Sequence, residues 1–238
     1  MRRETQHVLL LLVGGALLRI AVDDTYLRYV RPSHRWLLVG AGVVVLGLTV
    51  VAMVSDLRGH PAGARTGRMS EPHPHGRVER YVPWLLLAPV LVIALVAPPA
   101  LGADAVARAG TRNLVVQDAD VFGPLAEGAP LTVAEFVQRA VRDSTGSLEG
   151  RVVTLTGFAV RDGAATGLAR LTIACCAADA RANRVRLLGD LGVIAPDTWL
   201  RVRGTVQSGT ATAATGYVPA MTVTTVDVVA APTDPYEY

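Results

Sequence analysis

Three apolar stretches in the first hundred residues limit most strongly what this chain can fold into. "HVLLLLVGGALLRIAV" covers residues 7–22, "WLLVGAGVVVLGLTVVAMV" covers 36–54, and "VPWLLLAPVLVIALVAPPALG" covers 82–102. Each approaches the roughly 20 residues that an α-helix needs to cross a bilayer. Only 18% of the chain is charged, whereas soluble proteins carry about 25%. The sequence therefore predicts a membrane protein with three transmembrane helices within residues 1–103.

A cleaved signal peptide is the alternative for the first stretch, because "MRRETQH" forms a basic segment in front of it. Arg19 interrupts the apolar run, and no small-x-small cleavage pattern follows closely. A retained anchor is therefore the favoured interpretation. Arg19 lies near the end of the stretch, where it can reach the interface and pair with Asp23 four residues later.

The placement of arginine predicts the topology. All 23 basic residues are arginine, a bias typical of GC-rich bacterial genomes. Arg2 and Arg3 precede the first stretch, and five more arginines lie in residues 56–81, against three in the first loop. Because cytoplasmic loops are enriched in basic residues, we expect a multi-pass protein of the bacterial cell membrane, surrounded by membrane lipid, with a cytoplasmic N-terminus. Residues 104–238 would then be extracytoplasmic.

The charge balance also excludes a class of partner. Residues 1–103 carry 11 arginines and 6 acidic residues, whereas residues 104–238 carry 12 arginines and 14 acidic residues. The basic excess therefore belongs to the apolar half, where it reflects topology. The tail has a net negative charge and few aromatic residues, so we expect no nucleic-acid partner.

The loop between the second and third stretches, residues 56–81, lacks an apolar period and is predicted to be disordered. It contains His60, His73 and His75. Histidines two residues apart can ligate a metal ion, but no further ligand has a diagnostic spacing. A flexible polar linker is the favoured interpretation, and a metal-binding loop is the weaker alternative.

The tail begins with a predicted linker, residues 104–130, and continues into a folded domain, residues 131–238. "LTVAEFVQRAVRD" (131–143) predicts a short amphipathic helix, because Thr132 and Glu135 have the spacing of a capping box. Its apolar residues recur at helical spacing at Val133, Phe136, Val137 and Ala140.

Five strand-like runs follow this helix: residues 150–160, 169–176, 183–189, 198–207 and 220–229. The apolar parity changes within the last run, which predicts a bulge near Thr224 and Thr225. Gly157 and Gly204 lie inside strand-like runs, as is common in strongly coiled barrel strands. The pattern predicts an extracytoplasmic, mainly-β domain with a barrel of the OB type.

The two cysteines stand side by side in "LTIACCAADA" (171–180). A continued strand would place Cys175 on the apolar core face, as a small hydrophobic residue. The alternatives are contact with a partner, an easily reduced disulfide, and a soft-metal site in which Cys175, Cys176 and Asp179 are the ligands. One tail does not supply a closed four-ligand zinc site, because no further cysteine exists and no histidine follows His75.

The tail also lacks the residues of nucleophilic catalysis. Without a histidine in the tail there is no base for a Cys–His or Ser–His pair. Asp179, Asp190 and Asp197 are scattered over turns and form no recognisable acid–base pair. We therefore expect a protein that is not an enzyme and that needs no cofactor, with a bound metal ion as the exception to test.

The order of these parts resembles a bacterial family of predicted two-component membrane permease-complex subunits. The similarity rests on "YLRYVRPSHR" (26–35), "PLTVAEFVQRA" (130–140), "LTGFAV" (155–160), "IACCAADA" (173–180) and "DPYEY" (234–238). It implies a multi-span permease protein as partner, and it implies no catalytic residue. Tyr26, Tyr29 and Pro32, in the first loop, are the candidate partner-contact residues.

These observations lead to two main functional hypotheses. The first is a non-enzymatic accessory subunit of a membrane transport complex, which presents an extracytoplasmic OB-like domain. The second is a metal- or redox-responsive membrane-anchored module that uses Cys175 and Cys176. A third hypothesis is a membrane-anchored OB scaffold for another membrane protein.

Overall fold

The computed structural model describes residues 3–58, 98–114, 122–163 and 165–238. Their contacts form two compact units. The helical unit contains helix α1 (Arg3–Val22) and helix α2 (Arg35–Leu57). The β unit contains the remaining strands and helices, together with the short segment Leu27–Arg31 from the loop that connects α1 and α2.

Two buried glycines let α1 and α2 approach closely. A Cβ atom added to Gly14 would lie 2.8 Å from the Leu46 side chain, and one added to Gly42 would lie 2.9 Å from the Leu18 side chain. Small residues at a helix–helix contact are typical of pairs that pack within a membrane, where close van der Waals contact replaces the hydrophobic effect. Thr49, also buried, donates its hydroxyl to the Val45 carbonyl at 2.7 Å.

Within the described residues, one helix is long and apolar enough to cross a membrane. It spans Pro32–Leu57 with a mean hydropathy of 2.7, and 11% of its most apolar window is buried within the protein. The apolar helix Gln6–Val22 is shorter. The second predicted stretch thus coincides with a candidate membrane anchor.

Most of the third predicted stretch and most of the histidine loop lie outside the described residues, including His60, His73 and His75. The last five residues of the third stretch, 98–102, are described and are not helical. The two consecutive prolines, Pro98 and Pro99, account for this, because proline lacks the amide hydrogen and disfavours a helical residue before it.

In the residues that the structure describes, the β unit contains seven strands and two α-helices. Helices α3 (Ala103–Arg108) and α4 (Val133–Arg142) surround the short strand β1 (Pro130–Leu131) in sequence. The remaining strands are β2 (Val152–Asp162), β3 (Ala165–Thr172), β4 (Arg181–Leu188), β5 (Trp199–Gln207), β6 (Ala220–Val228) and β7 (Tyr236–Glu237). The prediction of a mainly-β tail with five principal strands is confirmed.

Strands β2 to β6 form a closed cycle of pairings. Strand β2 pairs antiparallel with both β3 and β5, β3 pairs antiparallel with β4, and β5 pairs antiparallel with β6. A parallel pairing between β4 and β6 completes the cycle. Strand β1 joins β2, and strand β7 joins β3, both in parallel.

Two local features that the sequence predicted are present in the strands. Arg203 pairs with Thr225 while Gly204 pairs with Val223, so Thr224 is the extra residue of a bulge. A Cβ atom at Gly157 would lie 2.5 Å from the Ala169 carbonyl oxygen, so only glycine fits between the strands there.

The core of the β unit is filled by the residues that the apolar periods predicted. Phe136, Val133 and Val137 on α4 are fully buried against Leu155 and Leu200 of the sheet. Thr132 begins the helix by accepting a hydrogen bond from the Glu135 amide at 3.0 Å. The Glu135 carboxylate binds Arg139 at 2.9 Å.

The folded unit begins earlier than the predicted domain boundary at residue 131. Within the predicted linker, 104–130, helix α3 places Val106 in a second apolar cluster beside Leu171, Ile173 and Tyr236. The Asp197 carboxylate accepts a hydrogen bond from the Ala103 amide at 2.6 Å and so holds the start of α3. Because these contacts join segments that are far apart in sequence, no local pattern in residues 103–114 predicts them.

Candidate functional site

The cysteines lie in an exposed loop, which we call the thiol loop (residues 174–179). Strand β3 ends at Thr172, and Ile173 is the last buried side chain before the chain turns. Cys175 is exposed and Cys176 is partly exposed. The expectation that Cys175 faces the core is therefore wrong, because the alternation of a strand stops three residues before it.

Asp179 holds the thiol loop in shape. One carboxylate oxygen accepts a hydrogen bond from the Ala174 amide at 2.9 Å, and the other accepts from the Cys175 amide at 2.8 Å and from the Cys176 amide at 3.4 Å. Cys176 is the N-cap of a 3-10 turn, Ala177–Asp179, with the reciprocal bonds of a capping box. The spacing in "CAAD" is that of a capping box with cysteine in place of serine, a signal that the sequence contained.

The loop brings together the three side chains that were predicted as a metal or redox site. The sulfur atoms of Cys175 and Cys176 are 3.6 Å apart, and both cysteines are free thiols. The two sulfurs and a carboxylate oxygen of Asp179 all lie within 4.8 Å of one another. Two thiols and one carboxylate thus form a group of three potential metal ligands at the surface.

The charges in the loop are strongly linked. Interaction of the Cys175 thiol with the Asp179 carboxylate, together with its hydrogen bond to the Cys176 sulfur, raises the pKa of Cys175 to about 12. The same interaction with Cys175 and the backbone amides lower the pKa of Asp179 to about 2. The resting loop at neutral pH therefore contains a protonated Cys175 thiol and an ionised carboxylate. A metal ion that binds here must displace the Cys175 proton.

The segment Leu27–Arg31 is bonded directly to the thiol loop. The Ala177 amide donates to the Tyr29 carbonyl at 2.7 Å, and the Arg31 amide donates to the Cys175 carbonyl at 3.1 Å. Val30 and Cys176 form an isolated antiparallel bridge between the two chain segments. The two family-like motifs around Tyr29 and Cys175 therefore meet in one place.

The candidate partner-contact residues differ in exposure. Tyr29 contributes its backbone to the thiol loop and is partly exposed. Pro32 is exposed, whereas Tyr26 is only 4% exposed. Whether these residues contact a partner stays a prediction, with Pro32 and Tyr29 the two that present surface.

The terminal motif "DPYEY" holds neighbouring parts of the β unit together, a role that sequence reasoning missed. The Tyr236 hydroxyl accepts a hydrogen bond from the Leu101 amide at 3.1 Å and donates to the Arg28 carbonyl at 2.8 Å.

The buried Glu237 carboxylate accepts from the Val133 and Ala134 amides at 2.8 and 2.9 Å, where α4 begins. Burial raises the pKa of Glu237. Arg170 donates to the carbonyls of Asp234 and Pro235, both at 3.0 Å.

A family model described as the DUF1980 C-terminal domain matches residues 133–238. The matched region begins at the first residue of α4 and contains the thiol loop and "DPYEY". These residues therefore correspond to a domain of an uncharacterised family, in agreement with the part of the resemblance that concerned the tail. No curated protein matches the chain. The pairing with a permease is not part of this match.

Proposed function

We propose that this protein is a membrane-anchored accessory subunit that binds a soft metal ion through Cys175, Cys176 and Asp179. The convergence of two sulfurs and one carboxylate in an exposed loop carries this proposal. Thiolates are the ligands that Zn²⁺ and softer ions such as Cu⁺ prefer. Two sulfurs bound at about 2.3 Å to a tetrahedral ion lie roughly 3.8 Å apart, close to the 3.6 Å between these sulfurs.

The ligand number favours an exchangeable ion. Structural zinc sites have four protein ligands, whereas sites that react or exchange keep a position open. Three ligands leave such a position for water or for a ligand of another molecule. The hydrogen bonds of Asp179 with the backbone amides of Ala174 and Cys175 also order the loop. Both features fit a subunit that receives an ion and passes it on.

The helical unit supports membrane anchoring. Large apolar side chains on α2 are exposed to solvent, among them Trp36, Leu37, Leu48 and Val51, which are 65% to 78% exposed. Many large apolar side chains exposed on one helix are typical of contact with a membrane or a protein. We propose a multi-pass anchor that includes the third apolar stretch, with a cytoplasmic N-terminus and an extracytoplasmic β unit, as the arginine distribution predicts.

The strand order supports an OB-like barrel for the β unit. An OB fold is a five-stranded Greek-key barrel, and β2 to β6 form a five-membered cycle closed by the parallel pairing of β4 with β6. Since such barrels serve many functions, the fold by itself assigns none.

The bonding of Leu27–Arg31 to the thiol loop supports a role as a subunit of a transport complex with a multi-span permease. This segment is joined through the chain to α1 on one side and to α2 on the other. A change in the thiol loop on ion binding would alter the hydrogen bonds of Tyr29 and Arg31. In this proposal the subunit is non-enzymatic. Binding of the ion at the thiol loop affects α1 and α2 through the segment that connects them in the chain.

Cobalt titration of the full-length protein tests the metal site. The reduced protein in nonionic detergent is titrated with Co²⁺, whose bonds to thiolate give a charge-transfer absorption band, and Zn²⁺ is then added as competitor. We expect one bound ion, and loss of the band in Cys175→Ser and Cys176→Ser. Asp190→Asn, a surface carboxylate in another turn, is the matched control. Thermal unfolding without metal shows whether each variant is folded. Unchanged binding in the folded double cysteine variant would exclude this site.

Two experiments test the anchor and the partner. A membrane-impermeant maleimide added to intact cells should label the exposed cysteines, the only thiols of the chain. Labelling only after permeabilisation would reverse the proposed orientation.

Purification from the native membrane should recover a multi-span permease with the full-length chain but not after deletion of residues 100–238. A permease whose transport is unaffected by that deletion contradicts the accessory role.

A further inference from the structure

A basic pocket of about 500 Å³ lies on the surface of the β unit. None of its lining residues belongs to the thiol loop. Arg184 and Arg186 of β4 line it, with Asp162 at the end of β2. Residues 111–112 and the β5–β6 connection around 213–216 complete the walls. Its volume falls within the range of small-molecule sites, about 300–1,000 Å³.

The alternation of β4 explains why arginines face this pocket. Val185 and Leu187 point into the barrel core and are 1% and 3% exposed. Arg184 and Arg186 alternate with these two residues along the strand and therefore project from its other face. Arg112 is a third arginine of the lining.

The positive charge in the pocket is only partly compensated. Arg186 donates to the Asp162 carboxylate at 2.7 Å. One Arg184 nitrogen donates to the Val106 carbonyl, but its Nε is buried without a hydrogen-bond partner in the described part of the chain. Desolvation lowers the pKa of Arg184, and Asp162 opposes this effect. Three arginines against one aspartate leave the described lining with an excess of two positive charges.

Hydrogen bonds around Asn113 hold the walls in place. This asparagine is 3% exposed, and its side-chain amide donates to the Arg184 carbonyl at 2.9 Å and to the Tyr217 carbonyl at 3.0 Å. Its side-chain oxygen accepts from the Arg184 amide at 2.8 Å. In the β5–β6 connection, the Thr215 hydroxyl donates to the Thr210 carbonyl at 2.7 Å. These hydrogen bonds join three chain segments that line or border the pocket.

We propose that this pocket binds the phosphate group of a small molecule or lipid headgroup through Arg112, Arg184 and Arg186. A phosphate monoester carries about −1.5 to −2 charges at neutral pH, which matches the excess charge of the lining. The planar guanidinium group suits the paired oxygens of phosphate, and charge-assisted hydrogen bonds are the strong ones. The site is independent of the metal site, so either can exist without the other.

Binding of inorganic phosphate to the full-length protein in a phosphate-free nonionic detergent tests this site, by calorimetry at constant ionic strength. Arg112→Ala removes an exposed side chain, and Arg184→Gln keeps a polar group on β4. Because hydrogen bonds to charged groups are stronger than those between neutral groups, each substitution should weaken binding roughly tenfold or more. Arg181→Ala is the matched control, an exposed arginine of β4 outside the pocket; it should change the dissociation constant less than about twofold if only net charge is altered at a distance.

Two competitors separate the sources of the phosphate group. Displacement by glycerol phosphate supports a soluble ligand, whereas displacement by short-chain phosphatidic acid alone supports a lipid headgroup. No phosphate binding, or equal weakening in Arg181→Ala and Arg112→Ala, overturns the proposal. Thermal unfolding confirms that Arg184→Gln is folded, and Arg112→Ala decides the outcome if it is not.

Discussion

The helical unit and the β unit distribute apolar side chains in opposite ways. In the β unit, Phe136, Leu155 and Leu200 are fully buried and the outer strand faces carry arginine and threonine. On α2, Leu48 and Val51 are exposed, while Gly42 and Thr49 are among the few buried residues. The β unit thus buries its large apolar side chains within the protein, whereas α2 exposes them, as a candidate membrane anchor does.

The largest expected effect tests the core of the β unit. Phe136→Ala removes a fully buried ring from the contact between α4 and the sheet, at a cost of about 3–5 kcal/mol in unfolding free energy. Leu48→Ala, the same kind of truncation on an exposed site of α2, should change stability by less than about 0.5 kcal/mol. Thermal unfolding in detergent measures both. Equal losses would show that Leu48 is packed within the protein and would remove the contrast.

A charge on α2 tests the apolar solvent of the helical unit. Leu48→Arg places a guanidinium near the middle of the helix, where membrane insertion loses about 2.5–3.5 kcal/mol. We expect a larger fraction of the chain to be extracted from membranes at alkaline pH. Val193→Arg, a substitution at a fully exposed residue of the β unit, should leave extraction unchanged. A membrane-bound Leu48→Arg that behaves as the original chain would count against an anchor that includes α2.

The glycine contact tests how the helices pair. Gly42→Leu brings a side chain against Leu18 and the Gly14 carbonyl, and such overpacking costs about 1–3 kcal/mol. A Cβ atom added to Gly47 on the same helix would meet no atom within 4 Å, so Gly47→Leu is the matched control. The temperature at which the helical signal is lost in detergent should fall for Gly42→Leu only. Equal behaviour of both variants would contradict the close contact of α1 and α2.

The smallest expected effect is the pH dependence of metal binding at the thiol loop of the β unit. Since the pKa of Cys175 is raised to about 12, a metal ion competes with its proton at all ordinary pH values. We expect the apparent affinity to rise about tenfold per pH unit for each proton released, or about 1.4 kcal/mol. Zn²⁺ titrations between pH 6 and 8, roughly the working range of this assay, measure the slope. An affinity independent of pH contradicts binding through the Cys175 thiolate.

The pKa shifts of Cys175 and Asp179 also make the stability of the fold depend on pH. The raised pKa of Cys175 means that the interactions of its protonated thiol with Asp179 and Cys176 stabilise the fold below the ordinary thiol pKa of 9.0 and are lost as pH rises toward 12. The lowered pKa of Asp179 means that its contribution is present above the ordinary value of 3.8 and is lost as pH falls toward 2. The thiol loop is therefore at its most ordered across the neutral range.

Local patterns were sufficient wherever the structure is decided by neighbours in sequence. The apolar period of α4, the five principal strands and the bulge at Thr224 were all predicted, because alternation and helical spacing are properties of short segments. The Cys175 expectation was wrong because it extended the strand beyond Thr172. The capping spacing of Cys176 and Asp179 would have predicted the turn.

Long-range contacts could not be predicted in this way. Nothing local to Glu237 indicates that its carboxylate binds the first amides of α4, a hundred residues earlier. The same is true of Asn113, which connects β4 to the β5–β6 connection, and of the Tyr29 carbonyl bonded to Ala177. Each is a hydrogen bond between chain segments that only the closed cycle of strands brings together.

The sequence by itself determined the apolar N-terminal helices, the strands of the tail and the three candidate ligands Cys175, Cys176 and Asp179, since these follow from periodicity and residue chemistry. Only the tertiary structure decided that the thiols face outward, that the segment Leu27–Arg31 bonds to their loop, and that Arg112, Arg184 and Arg186 converge in one pocket. The physical reason is that side-chain exposure and long-range hydrogen bonds depend on how strands close and where a turn ends them.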